Sequence, residues 1–107
     1  MTIYALSSGS GISGIAVIRV SGKNTAEVIK KLAGPKLPSP RVATLKKFNK
    51  NGGKELIDEG VIIWFPAPNS YTGEDLVEFH VHGSRAVITA MHSTISKIKN
   101  CRLAEPG

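Results

Sequence analysis

Two charged side chains interrupt apolar runs in this sequence. Arg19 lies within the run 15–20, and Glu78 lies within the run 76–79. Burying either charge is costly unless an opposite charge and hydrogen bonds compensate it. A guanidinium can fork a carboxylate or a carbonyl, and a carboxylate can accept two parallel donors, such as the ring N–H and amino group of a 2-aminopyrimidinone. Two interpretations stay open: the residues pair with each other or lie on solvent faces, or one or both contact a ligand.

Glu78, His80 and His82 alternate along one predicted strand, so they share one of its faces. The E-x-H-x-H spacing could supply three metal ligands, but no fourth ligand is evident nearby. Either histidine could act as a general base, although no serine or cysteine nucleophile signature accompanies it. We therefore predict packed or surface histidines, no metal site and no catalytic residue. The lone Cys101 is predicted to be inert.

A glycine-rich loop near the N-terminus matches G-x-G-x-x-G at Gly9, Gly11 and Gly14. A dinucleotide site needs a helix N-terminus after this loop, because the helix amides hold the pyrophosphate. Here a predicted strand, residues 15–18, follows instead. We therefore favour a flexible hairpin-like loop over a dinucleotide site. No G-x-x-x-x-G-K-[ST] motif occurs either, so no nucleotide hydrolysis by that route is expected.

The hydrophobic pattern predicts the order β-β-α-β-β-β-α followed by an extended segment. This is an α+β arrangement, because strands and helices do not alternate strictly as in a doubly wound sheet. The predicted strands are residues 2–6, 15–20, 42–48, 61–65 and 76–81, and the predicted helices run from 25 to a stop at 34–35 and from about 85 to 99.

Both helices carry recognisable end signals. Asn24 and Glu27 resemble a capping box at the start of the first helix. Ser84 is predicted to cap the second helix, and Asn100 is predicted to end it. The buried face of the second helix is predicted from 3-4-3 spacing to contain Ile88, Met91, Ile95 and Ile98.

The stretch 60–83 organises the chain. Its apolar run 61–65 has the length of a buried strand. Pro66 and Pro68 follow; they have no amide hydrogen to donate to a neighbouring strand, and they hold the backbone extended. Residues 69–73 are rich in turn formers. We interpret the loop as a brace that aims the following strand, which carries Glu78.

Composition is that of one globular domain, with 107 residues, 41% apolar and 21% charged. No apolar run approaches the roughly 20 residues of a membrane span, and the N-terminus has no secretory signal. One cysteine excludes an internal disulfide. These features predict a cytoplasmic protein without membrane contact. The extended C-terminal residues 102–107 stop at a helix-start-like Glu-Pro-Gly, which suggests a piece of a longer protein.

The net charge of +6 is unevenly distributed. Residues 1–54 carry a net +9, residues 55–84 a net −6 and residues 85–107 a net +3. Such blocks can steer anionic partners, including nucleic acid, and can promote self-association of unlike patches. A solvated basic face is the favoured interpretation at this point.

Three segments together resemble the N-terminal domain of the MnmE (TrmE) family of tRNA-modification GTPases. They are G-I-A-V-I-R-V-S-G at 14–22, the stretch 56–83 with W-F-P-A-P-N-S-Y-T-G-E-D inside it, and R-L-A-E-P-G at 102–107. The resemblance implies a cytoplasmic, dimeric GTPase that works with the flavoprotein MnmG (GidA). Together they introduce a carboxymethylaminomethyl-type modification at ring carbon five of the wobble uridine in certain tRNAs.

The resemblance also implies what this domain does. In the family it is similar to the folate-binding domain of the glycine-cleavage aminomethyltransferase, it dimerises, and it binds a formyl-tetrahydrofolate that donates one carbon. The family's folate contacts fall on Arg19 and Glu78, and a further lysine contact falls beyond Gly107. Residues 1–107 are thus predicted to be a folate-binding and dimerisation domain.

The resemblance further implies that the helical domain and the GTPase domain, with its GTP, magnesium and potassium, lie outside residues 1–107. This chain is therefore expected to be a binding domain that does not itself hydrolyse GTP. Two alternatives stay open. One is an RNA-contacting module that uses the basic residues of 19–54. The other is a stand-alone folate enzyme of the aminomethyltransferase type.

Overall fold

One six-stranded sheet and two helices make up the part of the chain that the computed structural model describes, residues 1–7 and 14–104. The strands are β1 (Thr2–Leu6), β2 (Ile15–Ser21), β3 (Thr44–Lys50), β4 (Glu55–Phe65), β5 (Leu76–His82) and β6 (Cys101–Leu103). The helices are α1 (Thr25–Ala33) and α2 (Arg85–Ser96). The predicted order of strands and helices is confirmed, and the final extended segment forms β6. The result is a small mixed α/β domain.

The strand order in the sheet is β3-β4-β5-β2-β1-β6. All neighbouring strands are antiparallel except β1 and β6, which are parallel. Strands β2 and β5 lie at the centre although they are far apart in the sequence. The centre of the sheet therefore brings together the two strands that carry Arg19 and Glu78.

The core lies between one face of the sheet and both helices. Ile18 of β2 and Phe79 of β5 are fully buried and oppose each other in the register. Buried helix residues belong to the same cluster: Val28, Ile29, Leu32, Met91 and Ile95. Both helices therefore cover the same sheet face. Because side chains alternate along a strand, the neighbours of Ile18 and Phe79 point to the opposite face, which we call the open face.

Helix α2 follows its predicted start but ends early. The Ser84 hydroxyl accepts a hydrogen bond from the Val87 amide at 3.1 Å, which confirms the cap. The helix ends at Ser96 instead of continuing to residue 99. Asn100 closes the following turn with a φ of 64°, a left-handed conformation that asparagine tolerates. Of the predicted face, Met91, Ile95 and Ile98 are buried, and Ile88 packs half-buried at the edge of the core.

The capping-box prediction for α1 is wrong in its detail. Asn24 precedes the helix, but its side chain makes no capping hydrogen bond. Instead, its Nδ2 donates to the Lys99 carbonyl at 3.1 Å, so Asn24 joins the start of α1 to the segment after α2. The backbone amide of Asn24 donates to the buried Thr2 hydroxyl at 2.7 Å. Tertiary contacts thus replace the local cap.

Strands β2 and β5 each end one residue later than predicted, and β3 and β4 differ more from their predicted bounds. Strand β3 begins two residues later than predicted, at Thr44, and continues to Lys50. Strand β4 begins at Glu55, so residues 55–60 extend the predicted strand 61–65. Polar residues and a glycine concealed this extension, because they weaken the apolar pattern from which strands are recognised. The pairing of β3 and β4 also shifts register between Phe48 and Asn49, as at a β-bulge.

The loop between β4 and β5 is held at both ends. The Asp75 carboxylate accepts a hydrogen bond from the Ala67 amide at 2.8 Å, which closes the loop across its base. The Thr72 and Ser21 hydroxyls are 2.8 Å apart, and the Gly22 amide donates to the Asp75 carbonyl at 3.0 Å. These contacts tie the loop to the end of β2 and support its interpretation as a brace.

Two sequence features lie partly outside the described residues. Gly9 and Gly11 of the glycine-rich loop lie outside the described residues, as do residues 105–107 of the C-terminal segment. Gly14 is described and leads directly into β2, so a strand and not a helix follows the motif. Within residues 1–7 and 14–104, no helix is long and apolar enough to cross a membrane.

Candidate ligand site on the open sheet face

Arg19 and Glu78 occupy directly opposed positions on the two central strands. Arg19 pairs with Glu78 in the antiparallel register of β2 and β5. Because their neighbours Ile18 and Phe79 fill the core, both charged side chains project from the open face. The Arg19 Nε donates to Glu78 Oε2 at 2.9 Å. The first of the two open interpretations is therefore correct to this extent: the two residues do pair.

The pair remains accessible to a ligand. The Arg19 side chain is 49% exposed, whereas the Glu78 side chain is 15% exposed. In the part of the chain that the structure describes, Arg19 forms this one side-chain hydrogen bond. The other guanidinium nitrogens can therefore donate to a carbonyl or carboxylate of a ligand while Nε continues to orient Glu78.

His80 contacts the second oxygen of the same carboxylate. Its Nε2 lies 2.9 Å from Glu78 Oε1, so Glu78 is held from two sides. Burial raises the pKa of Glu78, but the hydrogen bonds from His80 and Arg19 and the charge of Arg19 outweigh it, so the pKa lies below its ordinary value. Glu78 is therefore a fixed, ionised acceptor. A ligand with two adjacent N–H donors fits such a group.

His82 belongs to a separate pair. Its Nδ1 lies 2.9 Å from Asp58 Oδ1, and its backbone amide donates to Asp58 Oδ2 at 2.9 Å. Burial raises the pKa of Asp58, and the hydrogen bonds from His82 more than reverse this, so the pKa is lowered overall. The two histidines share a face as predicted but bind different carboxylates. Among the described residues, no three His, Cys, Asp or Glu side chains are grouped to hold a metal ion.

Two clefts lie side by side on the open face. The smaller one, of about 70 Å³, is lined by Arg19, Phe65, Tyr71, Leu76 and Glu78. The larger one, of about 390 Å³, includes Ile63 and His80, each two residues along the same strand and face from Phe65 and Glu78. The smaller cleft cannot enclose a bicyclic ring by itself. A ligand anchored on Glu78 would extend across the sheet into the larger cleft.

Apolar side chains surround these charged groups. Ile3, Ile15 and Leu45 belong to the open face and are 42%, 58% and 67% exposed. Val61 and Ile63 of β4 are half-buried there. Exposed apolar side chains grouped on one face in this way are typical of ligand or protein contact sites in soluble proteins. Alternation assigns each residue to one face of its own strand, but only the strand order brings these faces together on one side of the sheet.

Three further site features have different sequence signals. Strand alternation predicts that His80 and Glu78 share a face, but it does not predict that their side chains form a hydrogen bond. Asp58 has no such signal, because it contacts His82 from the neighbouring strand β4, 24 residues earlier in the sequence. Cys101 is half-buried at the start of β6, and burial raises the pKa of its thiol, which fits the prediction of an unreactive cysteine.

The fold and the site define a small mixed α/β domain with one helix-covered sheet face and one open face that carries an oriented carboxylate. Its sequence matches the family described as "GTP-binding protein TrmE N-terminus" over residues 2–107, and the chain belongs to that family. The resemblance inferred from the sequence motifs is confirmed.

Individual relatives agree with this assignment. A tRNA modification GTPase MnmE of Pelagibacter ubique is 69% identical over 107 residues, covering 100% of this chain and 24% of the relative. The mitochondrial 5-taurinomethyluridine-[tRNA] synthase subunit GTPB3 of Danio rerio is 46% identical over 106 residues, covering 99% and 21%. The tRNA modification GTPase MnmE of Rhodopseudomonas palustris is also 46% identical, and the match covers 99% of this chain and 23% of the relative. The chain therefore spans about a quarter of the length of these relatives.

Proposed function

We propose that this chain is the folate-binding and dimerisation domain of a tRNA-modification GTPase, and that Glu78 and Arg19 bind a formyl-tetrahydrofolate. The paired carboxylate and guanidinium on the open face carry this proposal. A pterin ring presents an N–H next to an amino group, and these two donors match the two oxygens of an ionised Glu78. The free guanidinium nitrogens of Arg19 then meet a ring carbonyl or another acceptor of the ligand.

A ligand can bind Glu78 without breaking its existing contacts. Both carboxylate oxygens already accept hydrogen bonds, one from Arg19 and one from His80. Each oxygen can accept a further hydrogen bond, because a carboxylate offers about four acceptor positions. The pterin donors can therefore bind while the protein contacts hold the carboxylate plane in place. The apolar surface towards Ile63 would receive the uncharged middle of the ligand.

Dimerisation is the second part of the proposal. The open face exposes apolar side chains on both sides of the charged pair, including Ile3 and Leu45. The cleft at Glu78 measures only about 70 Å³. A second copy packed over this face would bury the apolar surface and complete the walls of the ligand site.

For the whole protein, the proposal follows the family. GTP hydrolysis, with magnesium and potassium, would belong to a GTPase domain outside these residues. The assembled enzyme would act in the cytoplasm with MnmG to modify the wobble uridine of tRNA. This domain would supply the bound one-carbon donor and one half of the dimer contact, and no catalytic residue is assigned to it.

Calorimetric titration of formyl-tetrahydrofolate into this chain tests the ligand. We expect saturable binding, a loss of at least about 2 kcal/mol for Glu78→Ala and a comparable loss for Arg19→Ala, as for removal of a buried charged hydrogen bond. Arg85→Ala, which removes an exposed charge at the start of α2, is the matched control and should bind normally. Absence of binding by both the wild type and a chain extended past Gly107 would refute the ligand assignment.

Sedimentation velocity tests the dimer. We expect a concentration-dependent dimer that Leu45→Glu dissociates, because a charge would be placed on the apolar open face. Val42→Glu, also on an exposed apolar position but outside β3, is the control. A strict monomer with and without the folate would contradict this part of the proposal while leaving the ligand test independent.

A further inference from the structure

A cleft lined by lysines lies on the helix-covered side of the domain. Lys31 of α1, Lys50 at the end of β3, and Lys97 and Lys99 after α2 line this cleft of about 310 Å³. Both helices cover the sheet face opposite Arg19 and Glu78. The cleft is therefore distinct from the proposed folate site and lies on the other side of the sheet. We call it the lysine cleft.

The positive charges of the lysine cleft are largely uncompensated. Glu27 is the only carboxylate among its described lining residues. Lys50 has a weak ion pair with Glu55 at 3.7 Å. Within residues 1–7 and 14–104, no carboxylate is within ion-pair distance of Lys31, Lys97 or Lys99. Those three side chains belong to exposed residues, so their ammonium groups are available to a partner.

Helix stabilisation does not explain the whole group. Cations near a helix C-terminus offset the helix dipole, which accounts for Lys31 in the last turn of α1 and Lys97 at the end of α2. The dipole effect does not extend to Lys50 of β3. The two helices that contribute to the cleft are also joined, since Asn24 Nδ2, just before α1, donates to the Lys99 carbonyl after α2 at 3.1 Å. Four lysines thus converge on one preformed concavity.

We propose that the lysine cleft binds the phosphate backbone of an RNA. This inference rests on the proposed function only in that the chain acts within a tRNA-modifying enzyme. Lysine ammonium groups bind phosphates as point charges without reading base identity. None of the described lining residues is aromatic, so base stacking does not contribute and contacts go to the backbone.

The charge distribution also orients the RNA. Asp58 and Glu78 bind histidines of the open face, and Glu59 lines the larger cleft there. A polyanion is therefore attracted more strongly to the lysine cleft than to that face. RNA binding on the helix side therefore leaves the open face free for folate and for a second copy.

Fluorescence anisotropy with a labelled tRNA transcript at several salt concentrations tests the inference. The cleft variant is Lys31→Ala/Lys97→Ala/Lys99→Ala, and the charge-matched control is Lys36→Ala/Lys47→Ala/Arg85→Ala, whose residues are exposed and outside the cleft. We expect the cleft variant to bind at least about tenfold more weakly and to lose about 3 from the salt slope, one for each lysine. The control variant should keep most of the wild-type affinity and slope.

The inference would be overturned if both variants lost the same tRNA affinity, or if the cleft variant kept the wild-type affinity. It would also be overturned if the wild type bound tRNA no more tightly than polyglutamate, which would favour an acidic protein partner. Competition by inorganic phosphate at equal phosphate concentration would likewise point to a single-phosphate ligand. Thermal unfolding must coincide for all variants, which their exposed positions predict.

A folate titration separates this inference from the proposed function. The cleft variant should bind formyl-tetrahydrofolate as the wild type does, because the lysine cleft and Glu78 are on opposite sides of the sheet. If the wild type fails to bind folate but shows lysine-dependent tRNA binding, only the folate assignment fails. If folate binds and the tRNA affinity of the cleft variant equals that of the wild type, only the assignment of the lysine cleft to RNA fails.

Discussion

Arg19 and Glu78 are 59 residues apart in the sequence, yet Arg19 Nε lies 2.9 Å from Glu78 Oε2 across neighbouring strands. The contact is a register pair of the two central strands, so both backbones hold it in place. His80 contacts the other carboxylate oxygen. A carboxylate oriented by two partners is ready to accept a ligand without first losing much conformational freedom.

Replacement of Arg19 should change the titration of Glu78. We expect Arg19→Met to raise the pKa of Glu78, because the mutation removes a hydrogen bond and a nearby positive charge while burial of the carboxyl persists. Carboxyl carbon chemical shifts followed by NMR between pH 2 and 7 measure the effect. Arg85→Met is the control. Superimposable Glu78 curves in wild type and Arg19→Met would contradict the assigned electrostatic role of Arg19.

Gly60 is required by close packing of β4 against β5. A Cβ at this position would lie 2.0 Å from the His80 carbonyl oxygen, which is a backbone atom that cannot move aside. We expect Gly60→Ala to destabilise the chain by about 2–3 kcal/mol through overpacking. Chemical denaturation measures this loss. Gly14→Ala is the matched control, since a Cβ there meets nothing within 4 Å; equal stabilities of the two variants would refute the explanation.

His92 should make stability depend on pH. Its Nε2 is buried and has no hydrogen-bond partner among the described residues, its ring packs against Tyr4 at 5.3 Å, and burial lowers its pKa. Below about pH 6.5 the unfolded chain therefore binds more protons at this residue than the folded chain does. The free energy of unfolding should fall as pH drops below that value, by at most about 1.4 kcal/mol per pH unit for one proton.

The variant His92→Phe isolates this effect. It keeps a ring against Tyr4 and removes the titrating group, so the free energy of unfolding should change less between pH 7 and pH 5 than in the wild type. Asp58 and Glu78 have lowered pKa values, so their stabilising contributions are lost at more acidic pH and do not interfere. Urea denaturation at both pH values checks the prediction, and identical pH slopes would exclude a role for His92.

Ser84 should contribute measurable stability as the cap of α2. Its hydroxyl accepts the Val87 amide hydrogen bond, which satisfies one free donor at the helix start. We expect Ser84→Ala to cost about 1 kcal/mol of unfolding free energy. Ser93→Ala on the exposed surface of the same helix should be neutral or slightly stabilising. A loss for Ser93→Ala as large as for Ser84→Ala would show that serine content, rather than the cap, controls stability.

Local patterns predicted most strands, both helices and the shared face of Glu78, His80 and His82, because alternation and helical spacing act between near neighbours. They failed where distant contacts override local preference. The extension of β4 to Glu55 depends on pairing with β3, since its residues alone lack an apolar strand pattern. Asn24 likewise bonds to the segment after α2 instead of forming the local cap that its sequence suggests.

Residue order and type were sufficient to predict an α+β chain of this family and to single out Arg19 and Glu78 as chemically unusual. They left open whether the two would meet. The register between β2 and β5 decides this, because a shift of one residue would turn one partner towards the core. Strand order and helix packing similarly assemble the open face and the lysine cleft from residues that are far apart in sequence, through contacts that no local pattern encodes.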